Sequence, residues 1–243
     1  MDKTLYQGIE FMLVDAIIIA RGGSKGLPNK NIVDLCGKPL ICWTIEQCLA
    51  SKYIRDIWVS SDNSKILDLS SNYKTKLITR PKEISGDTAS SESAWLHALE
   101  KIEEISQSPQ AILAPQVTSP LREAIDIDKG IEEFKNGSYD SLFSANAVED
   151  LFFWEETSDN SLRSVNYDYR NRARRQDIRK RFIENGSFYI FSPEIIKKHE
   201  NRFGGKIGLV EMEPWKMLEI DSREDLRMCS ALMKEYLVKN DKT

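Results

Sequence analysis

The sequence predicts an α/β fold on a mainly parallel central sheet. Three observations predict it. Short apolar runs alternate with stretches of helical periodicity along most of the chain, the rhythm of βαβ units. The first run, residues 16–20 (A-I-I-I-A), has no polar face and suits a strand covered on both sides. No internal repeat or apolar run of about 18 residues points to another architecture.

After the first strand come Arg21 and a glycine-rich loop, then a turn at Gly37-Lys38-Pro39, with Pro39 expected at the first position of a helix. Leu40, Ile41, Ile45, Cys48 and Leu49 recur at helical spacing to about residue 51. Residues 57–60 (I-W-V-S) read as the second strand, with Asp62 or Asn63 capping the next helix. Residues 76–79 form the third strand, closed by Arg80-Pro81, and a long helix is expected from Thr88 to about Ile105, with Ala94, Trp95, Ala98, Leu99 and Ile102 on its apolar face. Strand 111–114, helix 126–135 and strand 141–145 continue the pattern. Residues 149–185 break it, with Phe152-Phe153-Trp154 and seven basic residues among the twelve from 170 to 181. This stretch reads as an insertion, an arm or subdomain. Strand 187–191, helix 193–200, strand 207–210 and a helix over about 224–238 close the chain. Residues 1–11 read as an extension before a single domain, 12–243.

Composition excludes several classes of function. A net charge of −4 argues against general nucleic-acid binding, so any anion site must be local. Cys36, Cys42 and Cys48 lie six apart, about 240° around a helix, and Cys229 is remote, so they offer no metal site; reduced thiols of a cytoplasmic protein are expected. Asp15 interrupts the early apolar run, which therefore does not read as a signal peptide, and no membrane span is expected. His97 and His199 belong to no nucleophile or metal pattern.

The chemistry concentrates in residues 16–31, A-I-I-I-A-R-G-G-S-K-G-L-P-N-K-N. Gly22, Gly23 and Gly26 allow close approach of the backbone to an anion, and Arg21, Lys25 and Lys30 add point charges. The loop is neither a Walker A motif nor G-x-G-x-x-G. Glu219-Ile220-Asp221 can turn two carboxylates toward one point in an extended segment, as a hard cation requires, although Asp221 could equally cap the last helix. The arginine run fits a solvated face, a nucleic-acid patch, or an arm that brings an arginine to a carboxylate or phosphate.

The glycine-rich loop is followed in order by R-P-x-x-I-S-x-D-T-A-S-S (80–91), Q-V-T-S-P-L-R (116–122), R-Q (175–176), N-G-S-F-Y-I (185–190) and E-I-D (219–221). Together these blocks resemble the CMP-N-acylneuraminate synthetases, or acylneuraminate cytidylyltransferases. The resemblance implies a Rossmann-like nucleotidyltransferase with a mainly parallel sheet, whose irregular stretch, about 149–185, is an inserted dimerisation arm of a homodimer. It implies CTP and a nonulosonic acid as substrates, Mg2+ as cofactor, and CMP transfer to the sugar's anomeric hydroxyl; the same reaction on legionaminate, pseudaminate or an octulosonate, or a non-catalytic nucleotide-binding protein, is the alternative. By position it assigns Arg21, Lys25, Lys30, Asn31, Arg80, Ser91 and Gln116 to the nucleotide. Gln116, Arg175, Tyr189 and Phe203 fall to the sugar, Glu219 and Asp221 to the metal, and Arg21, Lys30 and Asp221 to catalysis. Glu219 stands where the family often has Asp, and Arg202 where some sialic-acid enzymes have an aromatic residue.

Overall fold

The computed structural model describes residues 12–149 and 151–238; the extension 1–11 lies outside them. β1 (Val14–Ile19) leads into the glycine-rich loop, a 3₁₀ turn (Lys30–Ile32) and a two-residue hairpin, β2 (Asp34–Leu35) and β3 (Lys38–Pro39). There follow α1 (Leu40–Leu49), β4 (Ile54–Ser61), α2 (Ser64–Ser71), β5 (Lys76–Thr79), α3 (Ser91–Ile105), β6 (Ala111–Pro115), α4 (Ala124–Asn136) and β7 (Ser141–Val148). An arm bearing the hairpin β8 (Trp154–Glu156) and β9 (Leu162–Ser164) precedes β10 (Arg181–Phe191), α5 (Pro193–His199), β11 (Ile207–Glu211) and α6 (Arg223–Tyr236).

The main sheet has the order β11-β7-β10-β6-β1-β4-β5. All pairings are parallel except those of β10, which runs antiparallel to both β6 and β7. Two apolar layers cover it. Val14, Ala16 and Ile18 pack with residues of α1, α2, α4 and α6 on one face, while Ile17 joins Trp95, Ala98, Leu99 and Ile102 of α3 and Ile196 of α5 on the other. The alternation of β1 between two cores explains why its sequence shows no polar side. Asp15, fully buried, is satisfied by both nitrogens of the Arg55 fork at 2.8 Å and by the Trp58 indole at 3.0 Å.

Several boundaries differ from the sequence reading. Pro39 is the cap of α1, one residue outside the helix. Asn63 caps α2 through the Lys65 amide, leaving Asp62 for another task. α3 begins at Ser91, capped by Ser90, which frees residues 85–90 to form a loop. β10 begins at Arg181, so the final turn of the supposed insertion belongs to the central sheet; exposed Phe182 and Glu184 had disguised it. α6 is capped by Ser222 in a capping box with Asp225, so Asp221 does not serve as the cap.

Candidate active site

After β1 the chain runs outward to β4 and β5, then returns to β6 on the opposite side of β1. Strand order therefore reverses between β1 and β6, and loops on the carboxyl side of such a point diverge into a crevice. A cleft of about 310 Å³ opens there. Its walls come from the loop after β1 (Arg21, Lys30, Asn31), the loop after β5 (Arg80, Asp87), the start of α3 (Ser91, Trp95) and the end of β6 (Gln116, Thr118). Six of the residues expected at the nucleotide thus converge, although the chain separates them by up to 95 positions. Lys25, the seventh, is exposed and makes an ion pair with Asp87 of the cleft wall.

The loop is braced rather than free. The Gly22 amide donates to Asp62 Oδ1 at 2.9 Å, and Asn31 Nδ2 donates to the Arg21 carbonyl at 2.9 Å. A Cβ on Gly26 would stand 2.5 Å from the Asp221 carbonyl oxygen, so glycine is needed there for close backbone approach. Nothing lies within 4 Å of a Cβ on Gly23. None of these three glycines has a positive φ; that role falls to Asn29, at 54°. Gly22, whose Cβ would meet Asn63 Nδ2 at 2.5 Å, and Gly26 serve proximity, and the turn itself is made elsewhere.

Arg80 is 5% exposed and donates through Nε to Ser85 Oγ at 3.1 Å. Burial pulls its pKa below the ordinary value, Asp62 opposes this, and Arg21 adds to it. Lys30 Nζ reaches Asp221 Oδ1 at 2.7 Å across 191 positions of sequence. Glu219 Oε1 accepts from the Thr118 hydroxyl at 2.6 Å, and the Ile220 amide donates to the Thr118 carbonyl at 2.8 Å. Thr118 therefore fixes the E-I-D segment beside Gln116. Each carboxylate keeps one oxygen without a hydrogen bond among the described residues. No cluster of three or more potential metal ligands occurs among the described residues, so a cation here would have two protein carboxylates and take its remaining ligands from substrate and water. That donor set fits Mg2+.

Arg122, at the end of the Q-V-T-S-P-L-R block, was not assigned from sequence. It is 1% exposed, and its Nη1 donates to the carbonyls of Gln116, Ser119 and Ser187 while Nη2 donates to Thr44. Burial lowers its pKa to about 10, which leaves it charged at neutral pH. The guanidinium ties the end of β6 to the Gly186 turn of β10 and so sets the position of Gln116. The signal was present inside the block but did not indicate which way the side chain pointed. The same holds for Asp87 of the D-T-A-S-S motif, whose contacts with Arg21 and Lys25 cross more than 60 positions of sequence.

The residues expected at the sugar are less uniformly placed. Gln116 lines the cleft. Tyr189 is only 6% exposed and outside the cleft lining; burial raises its pKa to about 12, and its hydroxyl donates to Glu184 at 3.1 Å. Phe203 packs edge-on against it at 5.7 Å. Tyr189 stands against Trp95 of the cleft wall and is covered by Arg202, whose guanidinium lies 4.5 Å from its ring and 4.8 Å from the Trp95 ring and is paired with Glu92 at 2.7 Å, while Phe203 is half-buried. Arg175 belongs to a 3₁₀ turn of the arm (Arg175–Asp177), where neighbouring Gln176 lines a separate hollow with Glu149, Ile178 and Lys180.

A mostly parallel α/β sheet with a cation-walled cleft at its switch point defines the class: a Rossmann-like α/β protein whose cleft has the charge to suit an anionic ligand. The chain belongs to the cytidylyltransferase family, whose model matches residues 16–241. It is 35% identical over 214 residues to an N-acylneuraminate cytidylyltransferase A of Danio rerio, covering 86% of this chain and 48% of the relative. It is 29% identical over 223 residues to a pseudaminic acid cytidylyltransferase of Campylobacter jejuni, covering 90% and 95% respectively. The chain thus spans about half the length of the vertebrate relatives it matches and nearly all of the bacterial one. Among solved structures, CMP:2-keto-3-deoxy-manno-octonic acid synthetase superposes with a TM-score of 0.68 at 15% identity, over 93% of this chain and all of that one. At that identity the likeness speaks for the fold.

Proposed function

We propose that the chain transfers CMP from CTP to the anomeric hydroxyl of a nonulosonic acid of the N-acylneuraminate type, releasing pyrophosphate. The observation that carries this reading is the convergence of Arg21, Lys30 and Arg80 with Gln116 in one cleft, with Glu219 and Asp221 held beside it by Thr118 and Lys30. In the reaction the anomeric hydroxyl loses its proton to solvent and its oxygen forms a bond to the α-phosphorus, as the bond from that phosphorus to the oxygen bridging to the β-phosphate breaks and pyrophosphate leaves. Such transfers need alignment and charge neutralisation more than covalent help. Arg21, Lys25 and Lys30 bind the phosphates and offset charge on the departing pyrophosphate, Asn31, Arg80 and Ser91 hold the nucleotide, and Gln116 sits between nucleotide and sugar. Arg175 from the arm, with Tyr189 and Phe203, completes the sugar side.

Glu219 and Asp221 would hold Mg2+, which supplies charge neutralisation on phosphate oxygens when bound. Consumption of CTP and the four free cysteines favour a cytoplasmic setting. No helix among the described residues is long and apolar enough to cross a membrane. The arm exposes Leu151, Phe153, Trp154, Leu162, Val165 and Tyr169, an apolar surface suited to a homodimer contact.

A second acceptor, pseudaminate, is favoured by the Campylobacter match over nearly the full length of both chains. Calorimetric titration with CTP, UTP, ATP and GTP tests the nucleotide half of the proposal: saturable binding of CTP in preference to the others is expected, and equal binding of all four contradicts it.

A further inference from the structure

The cleft contains a carboxylate that the proposed reaction does not use. Asp87 Oδ1 accepts from Arg21 Nη1 at 2.8 Å, and its Oδ2 pairs with Lys25 Nζ at 2.9 Å. Arg21 Nη1 also donates to the adjoining Gly86 carbonyl at 3.1 Å. One carboxylate thus engages two cations of the glycine-rich loop, presenting one oxygen to each as a phosphate group would. Hydrogen bonds from Lys25 and Arg21 hold its carboxyl below the usual carboxylate range.

We propose that Asp87 is an internal counter-anion of the nucleotide site, competing with phosphate oxygens for Arg21 and Lys25 and so setting the affinity of the cleft for CTP and pyrophosphate. The inference rests on reading the cleft as a nucleotide site. Three observations support it. The carboxylate is part of the cleft wall, together with Ser85, Gly86 and Ser90. The wall is held by other bonds: Ser85 Oγ to the Pro81 carbonyl at 2.8 Å, the Ala89 amide to the Gly86 carbonyl at 3.2 Å, and the Ser93 amide to Ser90 Oγ at 3.1 Å. Asp87 makes its side-chain contacts with the two loop cations, so it serves them and not the loop's own shape. The Asp87 side chain is 48% exposed, so the carboxylate can withdraw into solvent without displacing a packed neighbour.

The physical consequence is exchange of like for like. A triphosphate brings several charges where Asp87 brings one, so it displaces the carboxylate while losing part of the attraction that bare cations would give. When pyrophosphate departs, the carboxylate returns and the loop cations are not left unpaired. Affinity is reduced for substrate and product alike, which favours release.

The experiment is calorimetry of wild type, Asp87→Asn, Asp87→Glu and the control Asp68→Asn, which removes an equal charge from the exposed side of α2. CTP and inorganic pyrophosphate are titrated separately, and thermal unfolding confirms that each variant is folded. Two solvent-accessible ion pairs of this kind are weak, so Asp87→Asn is expected to bind both ligands about 3- to 10-fold more tightly. Inhibition by pyrophosphate should strengthen by the same factor, Asp87→Glu should return toward wild type, and Asp68→Asn should leave both affinities unchanged. Unchanged or weaker binding by Asp87→Asn overturns the inference and makes Asp87 a bystander or a direct ligand. Failure of wild type to bind CTP at all is a different result, and overturns the nucleotide reading beneath it.

Discussion

Lys30 shows how one side chain can join distant parts of a chain. Its ammonium lines the cleft and meets Asp221, on the segment that Gly26 also approaches closely, so loop and carboxylates are fixed to one another. The cation was legible in the sequence because it falls among glycines after a buried strand. Its partner was not, since pairing across 191 positions leaves no local trace. Removal of one well-placed charge donor costs roughly 3 to 4 kcal/mol of transition-state stabilisation. Lys30→Ala should therefore lower kcat by about two orders of magnitude or more in a pyrophosphate-release assay, with the unfolding transition retained. Near-normal turnover would remove Lys30 from the site. Arg122 and Tyr189 were harder to read for the opposite reason: their positions were noticed, but burial, which decides what they touch, depends on the packing of β6 against β10.

Among the larger elements, the sequence pattern marked every α-helix, α2 by its cap alone, and part of every strand of the main sheet, while β4, β7 and β10 extend beyond the residues it marked, because most are covered by two apolar layers. The β8–β9 hairpin was missed since three-residue strands with exposed side chains have no buried face to impose a period. Orientation was also hidden: a sequence pattern distinguishes a strand from a helix, but the antiparallel course of β10 between β6 and β7 leaves no mark on its own period. The cap of α6 carries its own test. Ser222 Oγ accepts from the Asp225 amide at 3.2 Å, and the Asp225 carboxylate accepts from the Ser222 hydroxyl and the amides of Ser222 and Asp221. Ser222→Ala should cost about 1 kcal/mol of stability at neutral pH. Those bonds lower the pKa of Asp225 below 3.8, so its contribution is present above the unfolded value and lost as pH falls through the folded one. The difference between variant and wild type in thermal unfolding should accordingly shrink in strong acid; a difference that grows there would contradict this account of the cap.

For the whole molecule, the topology gathers the site. Reversal of strand order between β1 and β6 brings three loops to one edge, and β10 inserts between β6 and β7 so that its Gly186 turn faces Gln116 and Glu219. The arm between β7 and β10 could be located from its irregularity, yet its partner could not, because composition records that an apolar surface exists and not what covers it. If it is the contact between two copies, Phe153→Asp should convert a dimer to a monomer in sedimentation analysis and reduce turnover; a monomeric wild type would exclude that role. Passage of CMP from CTP to a nonulosonic acid in this cleft is read out by measuring pyrophosphate and CMP-sugar formation from CTP and Mg2+ with N-acetylneuraminate, legionaminate, pseudaminate and 3-deoxy-manno-octulosonate. Equimolar pyrophosphate and CMP-sugar with a nine-carbon acid is the predicted result, whereas CTP binding without turnover on any of the four would contradict it.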